Sequence, residues 1–125
     1  MSEVRLQIGE RVVCERCLVA DSALRRMRGL LGRRGLASGE GLLLRPASSV
    51  HTFFMLFPID VVFLDRHGVV LKVAEAVPPW RAVACRGAKA VVELAAGEAA
   101  RRGIRAGRRV DAPLAGVLES RPAAA

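Results

Sequence analysis

Two kinds of residue in this sequence could carry out chemistry, and each has a recognisable spacing. Cys14 and Cys17 form a C-x-x-C pair, which redox dithiols and zinc sites both use. Asp60 lies inside the most apolar stretch of the chain, His51 precedes it, and Glu93 interrupts a run of valines and alanines. If the fold brought this imidazole and these carboxylates together in a cleft, they would make an acid–base or metal-assisted site.

The cysteine pair is interpreted as structural. A redox pair of this spacing favours a helix N-terminus, but the valines and leucine around Cys14 and Cys17 indicate a strand, in which residues three apart point to opposite faces. A four-ligand zinc site can be counted only by adding Cys85 and either His51 or His67, and the turn of a zinc knuckle is missing. We therefore predict partly buried thiols, no metal site and no cofactor.

The buried carboxylate is also given a structural interpretation. A bare charge at Asp60 would be too costly, so we expect it to accept backbone N–H groups at a turn or to pair with an arginine such as Arg26. A catalytic role is the less favoured alternative. Glu93 is expected to face solvent on a half-buried strand, with convergence on His51 and Asp60 as the alternative.

The leading functional hypothesis is a non-enzymatic binding or accessory domain for a small molecule or a protein partner. Trp80, in a proline-rich loop, could wall a ligand site or cap an edge of the core. We expect a groove near His51 and Asp60, and the candidate binding residues are His51, Thr52, Met55, Asp60, Trp80, Glu93 and Arg26. An enzyme using His51, Asp60 and Glu93 is the alternative.

The charge raises a second alternative, a nucleic-acid-binding module. The formal net charge is +8, and the chain has 18 arginines but only two lysines. Because the arginines are dispersed and the four phenylalanines lie in apolar context, we expect no exposed stacking surface for nucleic acid. Nucleic acid is therefore the less favoured partner.

The sequence predicts one mostly-β domain in the cytoplasm. The longest nearly uncharged run, 46–59, is too short to span a membrane, and the charged start lacks the apolar region of a secretory signal. We predict an α+β fold, a β-sandwich or barrel-like mixed sheet with one or two short helices, over residues 1–112, and a flexible tail over 113–125. Helical spacing predicts an amphipathic helix after Asp21. Strands are predicted at Val4–Ile8, Val12–Val19, Leu42–Leu44, Val50–Leu56, Ile59–Leu64, Val69–Val77, Ala90–Leu94 and near Val110, with a short helix at Gly97–Arg102.

Several spaced motifs resemble those of the domain of unknown function 192 (DUF192) family over about residues 4 to 112. In order, they are Arg26–Arg33, Gly41–Leu44, His51–Met55, Pro58–Asp65 with Gly68, Val91–Gly97 and Gly103–Gly107. The linker between Met55 and Pro58 is shorter than in the commoner form of the family. The resemblance implies a mostly-β sandwich or barrel with a helix or two packed on it, and it implies no reaction.

Overall fold

The computed structural model describes residues 2–20 and 33–111. The helix predicted after Asp21, the candidate Arg26 and the tail 113–125 lie outside these residues. The described part contains eight strands and one short helix. They are β1 (Ser2–Ile8), β2 (Arg11–Ala20), β3 (Glu40–Leu44), β4 (Ser49–His51), β5 (Ile59–Leu64), β6 (Val70–Val77), β7 (Ala82–Ala84), β8 (Ala90–Ala95) and α1 (Glu98–Arg101).

Six strands form one mixed sheet in the order β1-β2-β3-β8-β5-β6. The β2–β3 pair is parallel and the other pairs are antiparallel. β5 and β8 lie inside the sheet and are buried along almost their whole length, which explains why both read as continuous apolar runs. The predicted mostly-β, α+β fold is confirmed, and the sheet does not close into a barrel.

Each face of the sheet is covered by a different set of elements. One face packs against the two-stranded ribbon of β4 and β7, through Val50 and Val83, and against Met55. The other packs against α1 and the segment that follows it, through Ala99 and Ile104. Alternate residues of β5 and β8 therefore point into two separate apolar clusters, and a one-residue change of register would exchange them.

Two predicted strands differ from the structure. The strand predicted at Val50–Leu56 ends at His51, because the chain turns at Thr52 and does not become extended again until β5. The last predicted strand, near Val110, is reduced to isolated bridges made by Arg109 and Asp111. Within residues 2–20 and 33–111, no helix is long and apolar enough to cross a membrane.

Candidate functional site

Thr52 holds together the two loops that form the most exposed apolar part of the molecule. It is fully buried, and its hydroxyl donates to the carbonyl oxygen of Pro78 at 2.7 Å and accepts from the backbone N–H of Arg81 at 2.9 Å. Its carbonyl oxygen accepts from the backbone N–H groups of Trp80, at 3.0 Å, and Met55, at 3.2 Å. One side chain and its peptide groups thereby fix the 78–81 loop against the turn that follows β4.

This clamp assembles an aromatic platform, which we define as His51, Phe53, Phe54 and Trp80. The rings of His51 and Phe53 stack with centroids 4.7 Å apart, and those of Phe53 and Trp80 with centroids 5.7 Å apart. Phe54 meets Trp80 edge-on at 4.7 Å. Phe53, Phe54 and Trp80 are 39%, 63% and 56% exposed, so the platform presents ring surface to solvent.

The backbone of the platform is strained where two of its rings are displayed. Phe54 and Trp80 both have φ near +67°, a left-handed conformation that bulky residues rarely adopt. Such strain persists where the surrounding structure imposes it, and it is concentrated at binding and catalytic sites. Here it holds two large apolar side chains outside the core, where burial gives them little stabilisation.

One arginine lies beside the platform, and the two segments that form it contain no acidic residue. Residues 41–59 and 76–92, which contain both of its loops, include no aspartate or glutamate. Arg81 is exposed, and its guanidinium contacts the carbonyl oxygen of Trp80 at 3.4 Å. A ligand that lay on the rings would therefore meet the cationic side chain of Arg81 and no anionic side chain from these two segments.

The platform overturns one expectation from the sequence. Because the phenylalanines lie in apolar context no exposed stacking surface was expected, yet the rings of Phe53 and Phe54 are exposed. Sequence reasoning missed these two as site residues because apolar context favoured a strand. A usable signal was present: consecutive aromatic residues followed by the buried Met55 cannot all point into one apolar layer of a strand.

The buried carboxylate of Asp60 connects three parts of the fold. Its side chain is fully buried, with Oδ1 accepting from the N–H of Ala76 at 2.8 Å and Oδ2 accepting from those of Gly97 at 3.0 Å and Ala99 at 2.9 Å. Ala76 lies in the irregular part of β6, where φ is +49°. The carboxylate thus joins β5, the irregularity of β6 and the start of α1, which is the backbone-acceptor arrangement that the sequence favoured.

Asp60 and Glu93 point to opposite faces of the sheet. Asp60 is opposite Leu94, whereas Glu93 is opposite Val61, and directly opposed side chains in an antiparallel pair share a face. The acid–base constellation of His51 with both carboxylates is therefore not assembled. Glu93 is also fully buried, so the expectation that it faces solvent is wrong. β8 lies between two other strands of the sheet, and both of its faces are covered.

The groove expected near His51 and Asp60 is not one surface. His51 and Trp80 meet in the platform, but Met55 is buried in the apolar cluster beneath it. Asp60 points to the other side of the sheet and is occupied by backbone donors. Of the candidates, His51 and Trp80 therefore lie in one surface, together with Phe53 and Phe54. Thr52, a third candidate, positions this surface through its hydrogen bonds.

The cysteines lie in two different places. Cys14 and Cys17 are fully buried in the cluster beneath α1, while Cys85 packs against the cluster on the opposite face. The four-ligand combination counted from the sequence is not assembled, and among residues 2–20 and 33–111 no three metal-binding side chains converge. Cys14 and Cys17 share a face, contrary to the expectation for residues three apart in a regular strand.

Residues 4–112 match the sequence model of a family described as an uncharacterized ACR, DUF192. The chain belongs to the DUF192 family. No curated protein gives a significant match. Among solved structures, a protein of Sinorhizobium meliloti 1021, described as a candidate transcription regulator, is similar with a TM-score of 0.77 and 22% identity, over 89% of this chain and 94% of that one. A protein of unknown function from Novosphingobium aromaticivorans DSM 12444 is similar with a TM-score of 0.73 and 25% identity, over 87% and 83% of the two chains. These likenesses establish the fold and assign no reaction.

Proposed function

We propose that this DUF192 domain is a non-enzymatic binding domain whose ligand is a flat aromatic molecule carrying negative charge. The observation that carries the proposal is the exposed, strained and mutually stacked set of rings in the aromatic platform. Exposed rings offer π surface to a flat ligand, and rings held rigidly before binding lose little conformational entropy on contact.

A cytoplasmic location is part of the proposal and is tested by fractionation of cells that produce the full chain.

Charge favours an anionic rather than a neutral ligand. The two loops of the platform carry the exposed Arg81 and no carboxylate. A phosphate or carboxylate attached to a flat ring could pair with a guanidinium at the edge of the platform while the ring stacks on Phe53 or Trp80. A cationic ligand would meet only like charge in these two loops.

The test uses Trp80, the only tryptophan of the chain, as its reporter. Its emission is titrated with adenosine monophosphate, which is flat and anionic, and with adenosine and ribose 5-phosphate, which each lack one of those properties. We expect saturable binding that is tightest for adenosine monophosphate and weakened by Phe53→Ala. Leu71→Ala, which removes a partly exposed apolar side chain of β6, is the matched control. Equal binding by all three probes, or no binding, would contradict the proposal.

Single-stranded nucleic acid is the second candidate, and a specific observation favours it. The platform presents exposed ring surface, and Arg81 lies at its edge, whereas the arginines of the segment 101–109 lie on the opposite face of the sheet. Bases would stack on the rings and a phosphate would contact Arg81. A single-stranded oligonucleotide would then bind more tightly than adenosine monophosphate, with strong weakening by salt. Equal affinity for the two would restrict the ligand to the small molecule.

A further inference from the structure

A β-bulge in β2 places Cys14 and Cys17 on the same face of the sheet. Cys14 is opposite Leu6 and Cys17 is opposite Val4, so three steps along β2 match two steps along β1. The Cα atoms of the two cysteines are therefore separated by about the length of two strand residues, roughly 6.6 Å. Disulfides bridge Cα atoms up to about 6.8 Å apart. The bulge thus converts a C-x-x-C spacing that a regular strand could not bridge into one that it can.

The two thiols are buried in the same apolar cluster. Both side chains have no exposed surface and lie on one face of β2, beneath α1. The Cys14 Sγ lies 3.5 Å from the carbonyl oxygen of Gly39, to which it donates. Because both side chains enter one cluster from one face, a bond between the sulfurs does not require a change of register in the sheet.

The two sulfurs differ in acidity. The neighbouring Cys17 thiol lowers the pKa of Cys14, an effect opposed by burial and the charge of Glu15 and assisted by the backbone of Arg16 and the charge of Arg102. The neighbouring Cys14 thiol, together with burial, raises the pKa of Cys17 well above its usual value. Cys14 is thus the sulfur better suited to ionise and attack, and Cys17 the one suited to resolve the intermediate.

We propose that Cys14 and Cys17 form a dithiol site that takes a small-molecule disulfide as its co-reactant and is converted to an intramolecular disulfide. The Cys14 thiolate, its proton released to solvent, attacks one sulfur of the co-reactant, whose S–S bond breaks to release one thiolate. The sulfur of Cys17 then attacks that of Cys14, giving its proton to the released thiolate and displacing the second one. The dithiol loses two electrons and two protons, and the co-reactant becomes two thiols.

Oxidation would also change a neighbouring turn. The bond from the Cys14 thiol to Gly39 disappears with the thiol hydrogen. The backbone N–H of Gly39 and the hydroxyl of Ser38 both donate to the buried carboxylate of Glu98, at 3.3 and 3.0 Å. The redox state of the pair is therefore linked to the contact between this turn and α1. β1 is the last strand of the sheet and is held on its outer side by the bridge between Gln7 and Asp111, so a co-reactant would enter when that strand and its bridge separate.

The test uses the full chain with Cys85→Ser, so that only the proposed pair can react. The folded protein is incubated with oxidised glutathione, quenched with acid, unfolded, treated with iodoacetamide and weighed by mass spectrometry. We expect a product lighter by two hydrogen atoms, with no alkylated thiol, that dithiothreitol reverses. Adding Cys17→Ser should stop the reaction at one glutathione on Cys14, and adding Cys14→Ser instead should slow it strongly.

Other products would overturn the proposal. Two alkylated cysteines after incubation of the folded chain would show that the pair does not react, and two glutathione adducts would show that the sulfurs cannot join. Reaction only in denaturant would show that the folded structure protects them. The result with the Cys85→Ser chain decides the matter even if the double variants fail to fold, which circular dichroism reports.

Discussion

Asp60 and the aromatic platform come from neighbouring segments of the chain. They differ in burial, in hydrogen bonding and in the strain of their backbone. The carboxylate is inside the protein and accepts three backbone N–H groups. The rings of Phe54 and Trp80 are outside it, on backbone that costs free energy to maintain. A polar group that is buried and fully bonded stabilises the fold, whereas apolar groups displayed on strained backbone contribute little to it. Substitutions at the two regions should therefore affect stability and binding differently.

Asp60→Ala should have the largest effect on stability. It leaves the N–H groups of Ala76, Gly97 and Ala99 without their acceptor. Ala99 is buried, whereas Ala76 and Gly97 are exposed and their N–H groups can bond water, so we expect a loss of about 3 kcal/mol, most of it from the buried donor. Urea denaturation followed by circular dichroism measures it. Asp60→Asn, which keeps one acceptor oxygen, should lose less. An unchanged midpoint for Asp60→Ala would contradict the structural role.

Thr52→Val should have the next largest effect. It keeps the shape of the side chain but removes the hydroxyl that bonds Pro78 and Arg81, and we expect a loss of about 2 kcal/mol. Because the clamp also positions Trp80, its emission spectrum should change in the folded state. Thr52→Ser retains the hydroxyl and is the control. Identical emission from the valine and serine variants would show that the platform does not depend on this clamp.

Two replacements of Phe54 should show how much the strained backbone of this residue costs in stability. Glycine tolerates the positive φ of this residue and alanine does not, so Phe54→Gly should be about 1 kcal/mol more stable than Phe54→Ala. This order is the reverse of that expected at an ordinary strand position. Thermal or urea unfolding of the two variants measures it, and a more stable alanine variant would remove the argument from strain.

Acidification should have the smallest effect. The backbone N–H of Ala37, and then the charge of Arg33, lower the pKa of Glu40, and a hydrogen bond from Arg102 lowers that of Glu15. A carboxyl with a lower pKa in the folded state stabilises the fold above its usual value of 4.5 and loses that contribution as the pH falls through the folded value. Glu40→Gln should therefore flatten the acid limb of the stability profile. A profile unchanged by this substitution would show that the pairing contributes nothing.

Much of the fold was predictable because its elements are local. The strands β1, β2, β5 and β6 and the helix α1 follow from local apolar patterns and the glycines between them, and the structure confirms them. The extent of the domain at residues 1–112 and the tail beyond it stay predictions. The strand predicted to continue through Phe54 is wrong because β propensity cannot detect the hydrogen bonds of Thr52, whose partners come from a distant loop.

The candidate site was only partly predictable for the same reason. A buried carboxylate in an apolar run indicates backbone acceptors, which is what Asp60 provides. The separation of Asp60 from Glu93 depends on strand register, and the meeting of Cys14 with Cys17 depends on a bulge. Neither property is encoded in the spacing of residues along one strand.

The most direct test measures stability and ligand affinity together in two variants, Asp60→Asn and Phe53→Ala. Each is unfolded in urea, and each folded protein is titrated with adenosine monophosphate while Trp80 emission is recorded. We expect Asp60→Asn to lose stability but keep its affinity, and Phe53→Ala to keep most of its stability but lose affinity several-fold. Loss of affinity in Asp60→Asn with unchanged affinity in Phe53→Ala would place the binding surface elsewhere and contradict the account.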